Sequence, residues 1–412
     1  MPHTHILFLA IVTACIAALV TNTLVPLVRR LAVALKALDH PGEERKKHEH
    51  PTPRLGGVAI AGGLAVAGGG AVLSQWVPVS AEISRTSAFS LLLATGMVFL
   101  VGLIDDLVGV SAWKKLLVEV AAASLLVETG WTIGAVSIPG GTHVTLGVLG
   151  PAVAVLWLVG VTNAVNLLDG LDGLAGGVVT IIASSLLVYA LLLGNMGTVF
   201  LMAAVAGSCA GFLRHNWEPA QIFMGDSGSL TLGFLLAAMS LHSSIKAPAA
   251  VAILVPLLAL GLPVIDTLLV MLMRFLDRSK GPLTGRFLRM FHADRNHLHH
   301  LMLHLGGSRR GVVLGIYSTV AAFCGLAIVV AVTHNPMLGL VLLPLELAVI
   351  ATMRAMGLRA EAHKITRQHR DEIVQQIALP LDPGGGALAP AASGEPPAAV
   401  GGPPEEVAER RP

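Results

Sequence analysis

The segment NAVNLLDGLDGLAGG, residues 163–177, places Asn163, Asn166, Asp169 and Asp172 within ten positions and spaces them with glycines. Long apolar runs flank it on both sides. Acids and amides at the end of a membrane span are costly unless they bind something. Oxygen donors on a glycine-rich backbone suit a hard cation such as Mg²⁺ and the phosphates that travel with it. The competing reading is a polar turn between two helices.

Four other segments carry groups of similar character. HPGEERKKHEHPTPRLGG (40–57) gathers Arg45, Lys46, Lys47, His48 and Arg54 around prolines and ends in a glycine pair. Basic groups at a membrane surface hold anionic headgroups or phosphates, although Arg45 to Lys47 alone read as ordinary cytoplasmic charge. Thr52 and Arg54 belong to a PTPRLGG stop that fixes the backbone before the next apolar run. GLIDDLVGVSAWKK (102–115) sets Asp105 beside Asp106, with Lys114 and Lys115 one short loop away. Adjacent carboxylates repel, so a counter-cation or a proton must relieve them. A helix C-terminus is also a poor place for acids. NWEPAQIFMGDSGSLTLGF (216–234) places Asp226 just before an apolar run. Asp226 reads as a helix cap, but Ser227 and Ser229 can cap equally well and leave it for a metal. FHADRNHLHHLM (291–302) clusters His297, His299 and His300 behind Asp294 and Arg295. Their spacing fits no usual zinc pattern, and imidazole N–H groups suit phosphate oxygens better. Asp266, Glu119 and Glu346 lie inside apolar runs and are expected to face the bundle interior without a catalytic role.

These residues must be positioned by helices in a bilayer. Hydrophobic residues make up 54% of the chain, charged residues 13%, and mean hydropathy is +0.76. Soluble domains carry about 25% charged residues. The net charge of +2 argues against nucleic acid as a partner. Cys15, Cys209 and Cys324 are far apart and imply neither disulfides nor a thiolate metal site. The apolar runs predict an all-α, polytopic integral membrane protein with about 11 transmembrane helices and cytoplasmic catalytic loops. The spans are 5–28, 55–76, 87–105, 115–130, 148–166, 174–193, 196–213, 228–245, 249–273, 311–333 and 337–353. The first run is a retained span, since no Lys or Arg precedes it while Arg29 and Arg30 follow. Alternating topology then puts 25 of the 27 Lys and Arg residues on one face, and 18 against 2 when the C-terminal tail is left out. That face is cytoplasmic, with the N-terminus outside and the C-terminus inside. All five polar segments fall on it. Residues 1–358 form the membrane domain and 359–379 a short polar segment able to be helical. Residues 380–412 form a Pro/Gly/Ala-rich tail expected to be disordered.

In this order and on this face, the motifs from about Asp39 to Gly307 resemble the polyprenyl-phosphate N-acetylhexosamine-1-phosphate transferase family. PTPRLGG and DRNHLHH resemble its bacterial undecaprenyl-phosphate N-acetylglucosaminyl-1-phosphate branch. The sister branch, which transfers phospho-MurNAc-pentapeptide, usually differs at both places. The resemblance implies a location in the bacterial inner membrane, polyprenyl phosphate and a UDP-N-acetylhexosamine as substrates, and Mg²⁺ or Mn²⁺ as cofactor. It leaves a homodimer open.

Roles carried over by the resemblance follow the motifs. Asp226 is the leading metal ligand and Asn166 a second. Asp105 and Asp106 are either a base for the lipid phosphate or further metal-site carboxylates, and Lys114 or Lys115 contacts a phosphate. Asn163, Asp169 and Asp172 shape the nucleotide end. His297, His299 and His300 hold the donor diphosphate with Arg295. Arg45, Lys46, His48, Thr52 and Arg54 line the lipid-phosphate side. The rival class is a polytopic transporter, but transporters set ionisable groups near the bilayer midplane, and here the acids gather at one surface.

Overall fold

A computed structural model describes residues 3–39, 51–73, 84–132, 135–138, 142–246, 249–276 and 297–378. Thirteen described helices follow in chain order: α1 (His3–Ala34), α2 (Gly56–Leu73), α3 (Arg85–Val108), α4 (Ala112–Glu128), α5 (Leu149–Leu168), α6 (Leu174–Leu192), α7 (Met196–Asn216), α8 (Gly225–Lys246), α9 (Ala249–Ala259), α10 (Gly261–Leu276), α11 (Leu298–Leu303), α12 (Arg309–Thr333) and α13 (Pro336–Ala378). Two small antiparallel pairs interrupt them. β1 (Leu38–Asp39) pairs with β2 (Thr52–Pro53), and β3 (Ala135–Ile138) with β4 (Thr142–Thr145). The chain divides into Met1–Lys364 and Ile365–Pro412. The site lies in the first unit. In the second, helix continues to Ala378, and the tail 380–412 lies outside the described residues.

The protein is an all-α membrane protein. Among the described residues seven helices are long and apolar enough to cross a bilayer, and an eighth crossing is possible if the bent pair α9–α10 is one span. That pair breaks by 77° at Leu260. The carboxyl group of Glu346, on α13, fills the place where a side chain at Gly261 would stand. α2, α4 and α8 coincide with three more of the eleven segments read from the sequence, but they are shorter or more polar.

α8 explains its own polarity. It packs against α2, α3, α5, α6, α7 and α9, so protein rather than lipid surrounds it. Two of its inner groups find partners: the Trp157 indole donates to Ser240 at 2.9 Å, and Asn195 meets His242 at 3.1 Å. The outer faces of α1, α3 and α5 instead expose large apolar side chains, among them Phe8, Leu92 and Leu156. Local signals set the helix starts. Ser84 accepts from the Ser87 amide at the head of α3, and Ser308 from the Gly311 amide at the head of α12.

α2 approaches α8 backbone to backbone at Gly57. A Cβ there would overlap the Gly228 amide nitrogen and lie 2.6 Å from the Ser227 carbonyl carbon. Gly57→Val should therefore push α2 off α8 and cost about 3 kcal/mol or more. Gly68 on the same helix has nothing within 4 Å, so Gly68→Val should stay within about 0.5 kcal/mol of the parent. Thermal unfolding in detergent compares the two, and equal midpoints would rule out the close approach.

Candidate active site

The site is built around the first turn of α8. Gly225 turns the chain at φ +72°, and a Cβ there would stand 2.5 Å from the Asp106 carboxylate. Asp106, at the C-terminal end of α3, reaches across to cap α8. Its carboxylate accepts the amides of Asp226 at 2.8 Å and Ser227 at 3.0 Å, and the Ser227 hydroxyl at 2.5 Å. Neither Ser227 nor Ser229 is the cap. The PTPRLGG stop lies along the same segment. The Phe223 amide donates to the Pro53 carbonyl at 2.8 Å, and the Gly56 and Gly57 amides to the carbonyls of Phe223 and Met224 at 3.0 and 2.8 Å. Arg54 Nε donates to the Asp106 carbonyl at 2.9 Å. Three motifs distant in sequence thus meet, two through backbone bonds and the third through the Asp106 carboxylate and the Arg54 guanidinium.

Oxygens of Asp105, Asp106 and Asp226 lie within 4.8 Å of one another. The two neighbours in sequence do different work. Asp106 is turned into the α8 amides. Asp105 faces Asp226 across an ammonium: Lys115 Nζ lies 2.5 Å from Asp226 Oδ2 and 3.4 Å from Asp105 Oδ2. Asp105 Oδ1 also takes the Val110 amide at 2.6 Å. Two partly exposed carboxylates around one positive group are a donor set that fits a divalent cation.

The 163–177 segment closes one side. The Asn166 side-chain oxygen accepts from Ser229 Oγ at 2.6 Å, one turn along α8 from Asp226. Asn163 donates to the buried carboxylate of Glu119. Asp172 accepts the Ala220 amide at 2.9 Å, and the Asn216 side chain accepts the Gly173 amide at 3.0 Å. Asp169 sits just past the end of α5. Burial, then the Asp226, Asp106 and Asp172 carboxylates, push its carboxyl up to about 7.

The histidines lie against this loop. The His299 ring rests on Gly170, and neither of its nitrogens has a hydrogen-bond partner. Burial beside His300 and His297 pushes it down to about 3, so it is neutral at pH 7. The His297 and His299 rings stack with centroids 6.1 Å apart, and His300 is 4.2 Å from His299. A buried ring lacking partners is costly unless a ligand supplies them.

The model of glycosyl transferase family 4 matches residues 88–244, a stretch that runs from α3 through α8. A Bacillus subtilis (strain 168) protein named "Probable undecaprenyl-phosphate N-acetylglucosaminyl 1-phosphate transferase" is 36% identical over 309 residues, covering 74% of this chain and 81% of its own. The chain belongs to glycosyl transferase family 4. A family member from Mycolicibacterium smegmatis, "Decaprenyl-phosphate N-acetylglucosaminephosphotransferase", is 34% identical and spans 73% of this chain and 77% of its own. Another from Moorella thermoacetica, "Phospho-N-acetylmuramoyl-pentapeptide-transferase", is also 34% identical and spans 76% and 95%. As a member of glycosyl transferase family 4 the protein is a membrane transferase.

The expected residues largely converge. Asp105, Asp106, Lys115, Asn166, Asp226 and Arg54 share one network, and Asp169 is coupled to it by charge. Lys114 is on the exposed side of α4, and Thr52 is buried in β2. Arg45, Lys46, His48 and Arg295 lie outside the described residues. Glu119 and Asp266 face the bundle interior as expected from the sequence, which assigned them no role; they hold Asn163 and His297. Glu119 follows Lys115 by four residues, the spacing that puts both on one helix face, and that signal was available.

A cation beside Asp226 adds positive charge near Asp169 and favours its ionised form. Infrared difference spectra of the parent against Asp169→Asn should reveal a carboxylic-acid band that is lost as pH rises through about 7. Mg²⁺ should shift that loss to lower pH. A band indifferent to Mg²⁺ would place the cation elsewhere.

Proposed function

We propose that the protein transfers N-acetylglucosamine-1-phosphate from UDP-GlcNAc to polyprenyl phosphate. A lipid-phosphate oxygen attacks the sugar-bound phosphorus, the bond to the bridging oxygen breaks, and UMP leaves. The single observation carrying this reading is the pair Asp105–Asp226 around the Lys115 ammonium at the head of α8. Phosphoryl transfer needs charge neutralised and reactants aligned more than covalent catalysis.

Asp226 and Asp105 would hold Mg²⁺ or Mn²⁺, with Asn166 beside them. The ion when bound neutralises the donor diphosphate. Asp106 keeps the α8 turn in place. Lys115, released from the carboxylates, and Lys114 contact phosphate oxygens. Asp169, Asp172 and Asn163 shape the nucleotide end. His299 offers one ring N–H to the diphosphate, with His297, His300 and Arg295. Thr52 and Arg54, with Arg45, Lys46 and His48, line the lipid-phosphate side. A lipid phosphate is largely dianionic at neutral pH, so little base catalysis is required of Asp105.

Names of the Bacillus and Mycolicibacterium relatives support the GlcNAc donor, and the Moorella relative supports the muramyl alternative. PTPRLGG and DRNHLHH favour the first. The protein sits in the bacterial inner membrane with eleven spans, its N-terminus outside and its C-terminus and active site cytoplasmic. The assembly is a homodimer or a monomer.

Purified protein given polyprenyl phosphate should release UMP from UDP-GlcNAc and negligibly from UDP-MurNAc-pentapeptide. Asp226→Asn should lower the rate at least ~10²-fold at saturating Mg²⁺ while folding survives. Preference for the muramyl donor would move the protein to the sister branch, and an Asp226→Asn rate within a few-fold of the parent would remove the metal assignment. For orientation, a single cysteine at Ser137 should react with an impermeant thiol reagent in intact cells. One at Ser111 should react only after permeabilisation; its labelling in intact cells would overturn the eleven-span map.

A further inference from the structure

A second charged group lies away from the acidic cluster. Asp266 on α10, Arg354 on α13 and His297 ahead of α11 are 3%, 3% and 4% exposed. The Asp266 carboxylate accepts from Arg354 Nη1, from His297 Nδ1 at 3.0 Å, and from the Leu298 amide at 3.1 and 3.2 Å. An ionised carboxylate takes only donors, so His297 Nδ1 carries a proton toward Asp266. Leu298 opens α11, and His297, its N-cap residue, makes no side-chain cap bond. Asp266 therefore supplies from another helix the negative charge that the start of α11 lacks. α11 has six residues, too few to hold its own shape, yet it carries His299 onto Gly170.

A buried ion pair is often replaced by apolar groups without loss, so orientation is the better reason for this one. Resting on the transferase activity proposed for the site, we infer that Asp266 and Arg354 are positioning residues for its donor side. They clamp His297 and the head of α11, and so hold His299, with His300 beside it, against Gly170. The last apolar helix thereby sets the geometry of the histidine motif.

The test uses the full-length protein in nanodiscs. Removing one charge alone would strand the other, so the main variant is Asp266→Asn combined with Arg354→Met. Arg354→Lys is the conservative control. In the double variant, amide hydrogen exchange over 297–304 should accelerate about tenfold or more, while exchange over 225–235 stays as in the parent. The KM for UDP-GlcNAc should rise about tenfold or more, and that for polyprenyl phosphate by less than about threefold. Arg354→Lys should keep the donor KM within about threefold of the parent. A purely structural role would lower kcat with both KM values unchanged, and that result would overturn the proposal. Unchanged exchange over 297–304 would overturn it as well. If the parent transfers from no UDP-sugar, the activity assignment fails, and the exchange measurement still decides the clamp.

Discussion

One carboxylate joins the parts of this site. A helix starting inside a protein brings several amides with no partner of their own. α8 starts at the centre of the bundle, and Asp106 from α3 satisfies two of those amides and a hydroxyl. The same residue's carbonyl holds Arg54, which ties in the stop before α2. Because Asp106 is committed to this work, Asp226 emerges from the turn with its carboxylate directed at Lys115. Without that cap, the two carboxylates that share the lysine would have no fixed separation.

Charge explains why the acids can gather at the end of a membrane bundle. Each has its own compensation. Asp106 has the amides and partial positive charge of a helix N-terminus. Asp105 and Asp226 have an ammonium between them. Glu119 has the Asn163 amide. Asp169 keeps its proton up to about 7 under burial and the charge of the neighbouring carboxylates. The acids are met by separate partners or by a proton rather than left as a pool of like charges.

The sequence made the apolar runs, the five polar segments and their common face visible, because hydropathy and charge are local properties. It could not separate Asp105 from Asp106. Successive helical residues point about 100° apart, and which one meets a neighbour depends on packing. The break between α9 and α10 was hidden for a related reason: hydropathy over 249–273 is continuous and carries no information about direction. The Gly261-Leu-Pro263 step, a favourable helix opening, marks the place. Asp266 looked inert as a lone acid among apolar residues, since its partners come from α11 and from Arg354, 88 residues further along the chain. His297, His299 and His300 looked equivalent, yet one is bound to a carboxylate and the nitrogens of another have no hydrogen-bond partner.

The bend at Leu260 has a mechanical consequence. α13 meets α10 twice, through Glu346 at Gly261 and through Arg354 at Asp266. On α13 these two residues are eight apart, roughly two helical turns, so the attachments are well separated along the axis. A single attachment would fix a distance and leave α10 free to swing about it. Two fix an angle. The α10 arm of the 77° elbow is thus held at a set angle to α13, and it cannot turn without shearing against the helix that ties it.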